Sequence, residues 1–182
     1  MSKRSKPLGK KIKPQIWVFC EGETEKAYVE FLRAKYRLPI EIESRISGSS
    51  ISSRYISQCK KSKPAHPKDL DFLLYDADVP AVLQRLQSIK EATLLLSNPA
   101  IELWFLLHFK NQTAALSSEQ CERDLNRRTG FIKGTINTKL GRKLEECVVQ
   151  ACEKAKKLPE NQNPSSNVYI FIEKLDQIKR EP

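Results

Sequence analysis

The stretch Ile16–Leu32, IWVFCEGETEKAYVEFL, decides the fold. Ile16 to Cys20 is a short apolar run rich in strand-favouring residues and bounded by Pro14 and Gly22, which predicts a buried strand. From Glu23 to about Tyr36, Ala27, Tyr28, Phe31 and Leu32 recur at helical spacing, and Glu23 and Glu25 fall in the first turn, where the helix dipole favours acids. A strand therefore hands over to a helix through Glu21-Gly22 alone.

Further along the chain the unit repeats. Pro39 stops the helix, and Ile40 to Ser44 predicts a second strand. SGSS at Ser47–Ser50 predicts a turn and cap for a helix carrying Ile51, Tyr55 and Cys59. Leu70–Tyr75 predicts the next strand, which ends in DAD at Asp76–Asp78; a helix over Pro80–Lys90 and a strand over Thr93–Leu96 come next. Asn98-Pro99 reads as the start of another helix, with Asn98 as N-cap and Pro99 at the first helical position. Its body, AIELWFLLHF, is apolar almost all round, as befits a helix buried on more than one side.

Strands alternating with helices imply right-handed crossovers and an α/β fold, a mainly parallel sheet flanked by helices. Beyond Lys110 the strand signal disappears, and helices are expected over Ser118–Arg128, Thr138–Lys157 and Asn167–Lys179, with a break at Leu158–Pro164. The expected organisation is a basic tail over 1–14, an α/β domain over 15–110 and a helical extension over 111–182 packed on it.

The net charge of +10 is unevenly placed, since the first fourteen residues hold Lys3, Arg4, Lys6, Lys10, Lys11 and Lys13 and no acid. Such a tail suits phosphate contact or, more plainly, solubility. It has no apolar run to act as a signal peptide, and no later stretch reaches the roughly 18 consecutive apolar residues that cross a bilayer. A cytoplasmic protein without a membrane partner is expected. The five cysteines form no Cys-x-x-Cys pair, and only His66 and His108 could join them, so cytosolic thiols are expected rather than zinc.

Functional groups of parallel sheets gather outside the carboxyl ends of the strands. Glu21 comes directly after the first strand, and Asp76 and Asp78 after the third. If those strands are neighbours, the three carboxylates share one edge, and the alternation of an extended chain can turn both Asp side chains to the same side. Hard oxygen ligands with open positions suit Mg²⁺ or Mn²⁺, and such ions neutralise a phosphodiester, activate water and stabilise the leaving oxygen. Each acid also has a plainer reading: Glu21 as part of a helix N-terminus, Asp76 and Asp78 as turn or capping residues before Pro80.

Strand-Glu21-Gly22 followed by strand-Asp76-Ala77-Asp78 resembles the TOPRIM domain of topoisomerases, primases and OLD-type nucleases. CEGETEKAYVEFL at Cys20–Leu32 and SNPAIELWFLLHF at Ser97–Phe109 resemble, more narrowly, the RloB-like proteins of bacterial restriction and phage-defence loci. The resemblance covers roughly residues 15 to 110 well and the helical remainder in outline. It implies a TOPRIM-like sheet and a metal-dependent nuclease in antiphage defence, with Glu21, Asp76 and Asp78 as catalytic metal ligands and Glu21 also a candidate general base. The chain departs from OLD-type proteins in having no Gly-x-x-x-x-Gly-Lys-Ser/Thr loop, so ATP-driven action is not expected of it.

Glu102 is the one acid on the apolar helix and sits at its start. It is expected either to help hold metal, directly or through water, or to form a structural ion pair. His108 reads as a hydrogen-bonded core or boundary histidine rather than a proton carrier, and Trp17 and Trp104 as core residues. Arg127, Arg128, Lys133, Lys139, Arg142 and Lys143 form a basic cluster that, with Lys10, Lys11 and Lys13, could hold nucleic acid, or could simply be solvated.

These residues are compatible with three functions. The first is a Mg²⁺- or Mn²⁺-dependent endonuclease acting on DNA or RNA. The second is a non-catalytic nucleic-acid- or nucleotide-binding adaptor. The third is a helical module that docks a larger defence complex, with homodimers or defence-system proteins as partners.

Overall fold

The computed structural model describes residues 14–180; the tail lysines Lys10, Lys11 and Lys13 lie outside the described residues. The elements run β1 (Ile16–Cys20), α1 (Glu23–Tyr36), β2 (Ile40–Glu43), α2 (Ser53–Lys60), β3 (Leu70–Asp76), α3 (Pro80–Ser88), β4 (Thr93–Asn98), α4 (Ile101–Leu107), α5 (Ser118–Thr129), α6 (Thr138–Glu146), α7 (Val148–Lys156), β5 (Ser165–Ser166) and α8 (Tyr169–Arg180). Together they form an α/β fold on one sheet, ordered β2-β1-β3-β4-β5. β1 to β4 are parallel, and β5 is antiparallel to β4.

The central strands read as unbroken apolar runs because both faces are covered. Ile16, Val18 and Cys20 of β1, with Phe72 and Leu74 of β3, face a core shared with α1, α4 and the helices after it. Trp17, Phe19, Leu73 and Tyr75 face a second, smaller core built with Ile51, Ile56 and Leu86. α1 and α4 therefore lie on one side of the sheet, and α2 and α3 on the other. Gly48 lets the loop before α2 approach α3, since a Cβ there would stand 2.2 Å from a methyl of Val82.

Four local expectations are corrected. Ile51 is buried ahead of α2, whose N-cap is Ser52, its hydroxyl accepting from the Tyr55 amide at 3.2 Å. SGSS forms only the preceding turn, in which the Ser50 amide donates to the Ser47 carbonyl at 2.8 Å.

Asn98 is not the N-cap of α4, nor is Pro99 its first residue. The strand continues through Asn98, which pairs with Ser165, and Ala100 occupies the cap position without a side-chain bond. Asp76 does the capping from the neighbouring strand: its Oδ1 accepts from the Ile101 amide at 3.0 Å.

The helix expected over Thr138–Lys157 is two, broken at Cys147, where φ is −114° and ψ 15°. β-branched Val148 and Val149 come next and lower helix propensity there.

The extension also contributes to the sheet. Asn167, expected in the last helix, instead extends the ladder beside β5: its Oδ1 accepts from the Leu96 amide at 2.6 Å and its Nδ2 donates to the Leu94 carbonyl at 3.1 Å. No helix among the described residues is long and apolar enough to cross a membrane.

Candidate functional site

β1 and β3 are adjacent and in register, with Cys20 opposite Leu74, so the two chains leave the sheet together at this edge. The Glu21 amide donates to the Leu74 carbonyl at 3.2 Å, and Glu21 Oε2 accepts from the Asp76 amide at 3.2 Å. Asp76 in turn holds the first amide of α4, whose first turn carries Glu102. One edge thus gathers Glu21, Asp76 and Glu102, as the order of elements requires. Asp78 lies beyond the end of β3 and is exposed, whereas Asp76 is half-buried.

The sequence reading misses Glu25 as a member of this group. It assigns the residue to the helix dipole, and Glu25 does accept from the Gly22 amide at 3.1 Å. Yet Glu25 is buried, in line with Tyr28, Val29 and Leu32. That stripe is the available signal, because positions 25, 28, 29 and 32 share one helical face. The lower edge of the apolar stripe is therefore an acid, directed into the site.

The electrostatics are those of uncompensated anions. Burial, and then the charges of Glu25, Glu102, Glu21 and Asp78, push Asp76 up to about 9. Burial followed by Glu102 and Glu21 pushes Glu25 up to about 7. Glu21 and Glu102 are also raised, mainly by burial; Lys133 pulls Glu102 the other way. Glu102 is 3% exposed, and its Oε1 is buried without a hydrogen-bond partner. The ion pair with a basic residue of the extension, one of two expectations for Glu102, does not form among the described residues, where Lys133 acts only at a distance.

Among the described residues, no three His, Cys, Asp or Glu side chains meet closely enough to form a ready ligand set for one ion. The Gly22, Asp76 and Ile101 amides each hold one carboxylate in its place instead. The donor chemistry still fits a hard divalent cation, since several carboxylates raise one another and one carboxylate oxygen is orphaned where burial makes unpaired charge costly.

The other sequence candidates separate into two groups. Arg128 Nε and Lys110 Nζ bind Asp124 at 3.0 and 2.7 Å, with Arg127 at 3.7 Å, so Arg127 and Arg128 have a structural partner. Arg128 and Lys143 both lie over the Phe109 ring, at 5.9 and 5.8 Å from its centroid. Lys139 and Arg142 are exposed. His108 is a core histidine at the far end of α4, its Nδ1 against the Trp104 carbonyl at 2.9 Å. Trp104 is core as well, donating to the Tyr28 hydroxyl at 2.8 Å. All five cysteines are free thiols.

No curated protein and no solved structure matches the chain. The family model for RloB-like protein, by contrast, matches residues 16–175, a span that contains every strand and all the clustered acids. The chain belongs to the RloB-like protein family.

Proposed function

We propose that this protein is a metal-dependent nuclease of the TOPRIM type, hydrolysing phosphodiester bonds of DNA or RNA in antiphage defence. The observation that carries the reading is the buried Glu102 carboxylate, with its Oε1 unpartnered, grouped with Asp76, Glu21 and Glu25 at the carboxyl ends of adjacent parallel strands. Four raised carboxyl groups with so little compensation are an arrangement that a bound cation relieves.

Glu21, Glu25, Asp76, Asp78 and Glu102 are the residues that would hold Mg²⁺ or Mn²⁺. When bound, the metal supplies charge neutralisation at the phosphate and an activated water. The chain's own part is positional. Asp76 ties β3 to the start of α4, which sets Glu102 against the strand ends; Glu21 bridges β1 to the β3 backbone; the capping contact of Glu25 fixes the first turn of α1. Asp78, exposed at the rim, is the acid most open to a substrate-bound ion.

Pure full-length protein incubated with labelled DNA and with total RNA, in Mg²⁺, Mn²⁺ or chelator, tests the reading. Cleavage that needs metal and is lost in Asp76→Ala is expected. Binding of nucleic acid without cleavage in either metal would assign the chain to the adaptor reading instead.

A further inference from the structure

Among the described residues three large apolar side chains stand well exposed: Val79 at 47%, Ile132 at 68% and Val149 at 64%. Two of them flank the elements that carry the carboxylate cluster. Val79 comes directly after Asp78 and is the N-cap of α3, on the side of the sheet that α2 and α3 cover. Ile132 belongs to the loop between α5 and α6, and that loop is seated on the first turn of α1, on the opposite side. The Gly134 amide donates to the buried Thr24 hydroxyl at 3.0 Å, next to Glu25 in the chain. The contact is close enough that a Cβ on Gly134 would stand 3.2 Å from that of Glu23.

The loop holds its tip firmly. Gly130 and Gly134 adopt φ of 70° and 78°, a left-handed backbone that glycine takes without strain. Phe131 is buried, and its carbonyl accepts from Asn126 Nδ2 at 2.8 Å. The Ile132 carbonyl accepts from the Thr135 hydroxyl at 2.7 Å and the Thr135 amide at 3.1 Å. With both flanks fixed and Gly134 bonded to the residue before Glu25, Ile132 and Lys133 are left exposed, and the charge of Lys133 reaches Glu102 at a distance. An aliphatic side chain so exposed on an ordered loop gains nothing from its own fold, and the neighbouring lysine suits an anionic chain.

We propose that the Ile132–Lys133 tip and Val79 grip a single-stranded stretch of nucleic acid across the carboxylate cluster, Lys133 on a phosphate and the two aliphatic side chains against the faces of unstacked bases. The proposal rests on the nuclease reading and adds the substrate class. In a duplex the base faces are stacked away, and an aliphatic tip meets only sugar and phosphate. Unpaired bases present an apolar face to any side chain placed to meet it. Placing one such side chain on each side of the sheet edge lets the strand lie across the acids rather than beside them.

Fluorescence anisotropy of the full chain with Ca²⁺, using a labelled single strand and the same strand annealed to its complement, tests this in DNA and RNA form. The parent is expected to prefer the single strand. Ile132→Ser and Val79→Ser should each weaken single-strand binding about 5-fold and leave duplex binding unchanged. Lys133→Gln should weaken both and reduce the slope of log affinity against log salt by about 1. All three side chains are exposed, so the fold does not depend on them. Parent preference for the duplex, or single-strand binding by Ile132→Ser equal to the parent, overturns the proposal; so does a parent that binds neither form, which would leave the tips to a protein contact. The nuclease reading fails separately, if the single-strand preference holds but no metal supports cleavage.

Discussion

The two ends of α4 bury titratable groups to nearly the same degree, with opposite consequences. At the start, Glu102 is 3% exposed and its Oε1 lacks a partner; at the end, His108 is 2% exposed and its Nε2 lacks one. Burial drives each toward its neutral form, raising the Glu102 carboxyl and lowering His108 to about 4. The surroundings then separate them. Glu102 stands with Asp76, Glu25 and Glu21, whose charges oppose one another, whereas His108 is packed edge-on against Trp104, 4.8 Å between ring centroids. Neutral histidine completes a core. Acids that raise one another leave a charge that a cation would relieve, and that difference, not burial as such, makes one end the candidate site.

The largest effect expected is at the acid end. Asp76→Ala or Glu21→Ala should abolish metal-dependent cleavage with the fold retained, since a lost ligand empties the site without opening the core. Asp76→Asn keeps an oxygen for the Ile101 amide and is the better stability probe. Because the folded carboxyl is raised from 3.8 to about 9, the native state binds the extra proton between those values, and metal-free stability falls as pH rises through them. Chelated Asp76→Asn should therefore melt above the parent at pH 8, with the gap closing toward pH 4. Parental cleavage by folded Asp76→Ala would remove the contrast between the two ends.

How much of that contrast the sequence carries depends on which signals are local. β1 and β3 are legible because a strand buried on both faces is a continuous apolar run, and Glu21, Asp76 and Asp78 are legible because they sit at the carboxyl ends of such runs. Glu25 is hidden by its double role, since a first-turn acid that accepts from the Gly22 amide has a sufficient local explanation. The cap of α4 misleads for the converse reason: Asn98-Pro99 has the right local chemistry, but pairing with Ser165 and capping by Asp76 come from residues distant in sequence. Ser165–Ser166 offers no periodicity at all, and it is a strand only because β4 and Asn167 make it one.

At the histidine end the pH dependence has the opposite sign. The folded pKa of about 4 lies below the ordinary 6.5, so the unfolded chain binds the extra proton and stability falls as pH drops from 6.5 toward 4. The full difference is about 3 kcal/mol. His108→Gln should flatten the acid limb of stability measured by urea titration while leaving cleavage at neutral pH unchanged. A cleavage defect without a stability change would place His108 in the site after all.

Glu102→Gln sharpens the comparison from the other side, because it keeps the shape and removes the charge. Mn²⁺ affinity by calorimetry should fall about 10- to 100-fold, the range for residues that support metal ligands. Metal-free stability should rise at neutral pH, since the raised carboxyl no longer has to ionise there. Unchanged affinity with a lower melting temperature would make Glu102 a structural acid, equivalent in kind to His108.

The smallest effect expected joins the two ends through Lys154. Its Nζ donates to the Leu107 carbonyl at 2.8 Å, satisfying a backbone acceptor that the end of α4 leaves open, and it places a positive charge at the negative end of the helix. The same charge, with that of Lys35, opposes protonation of His108. Lys154→Met keeps most of the aliphatic stem and removes both contributions. A loss of about 1 to 2 kcal/mol at neutral pH is expected for a charged hydrogen bond at a half-buried carbonyl. Relief of His108 raises its folded pKa toward the ordinary value, so the loss should shrink as pH falls from 6.5 toward 4, where the parent is itself destabilised. Cleavage and Mn²⁺ affinity should stay at parental values, because Asp76 and not Lys154 holds the end of α4 that carries Glu102. A constant stability difference across that pH range would show that Lys154 serves the Leu107 carbonyl alone, and a fall in metal affinity would show that the helix transmits strain from its histidine end to its acid end.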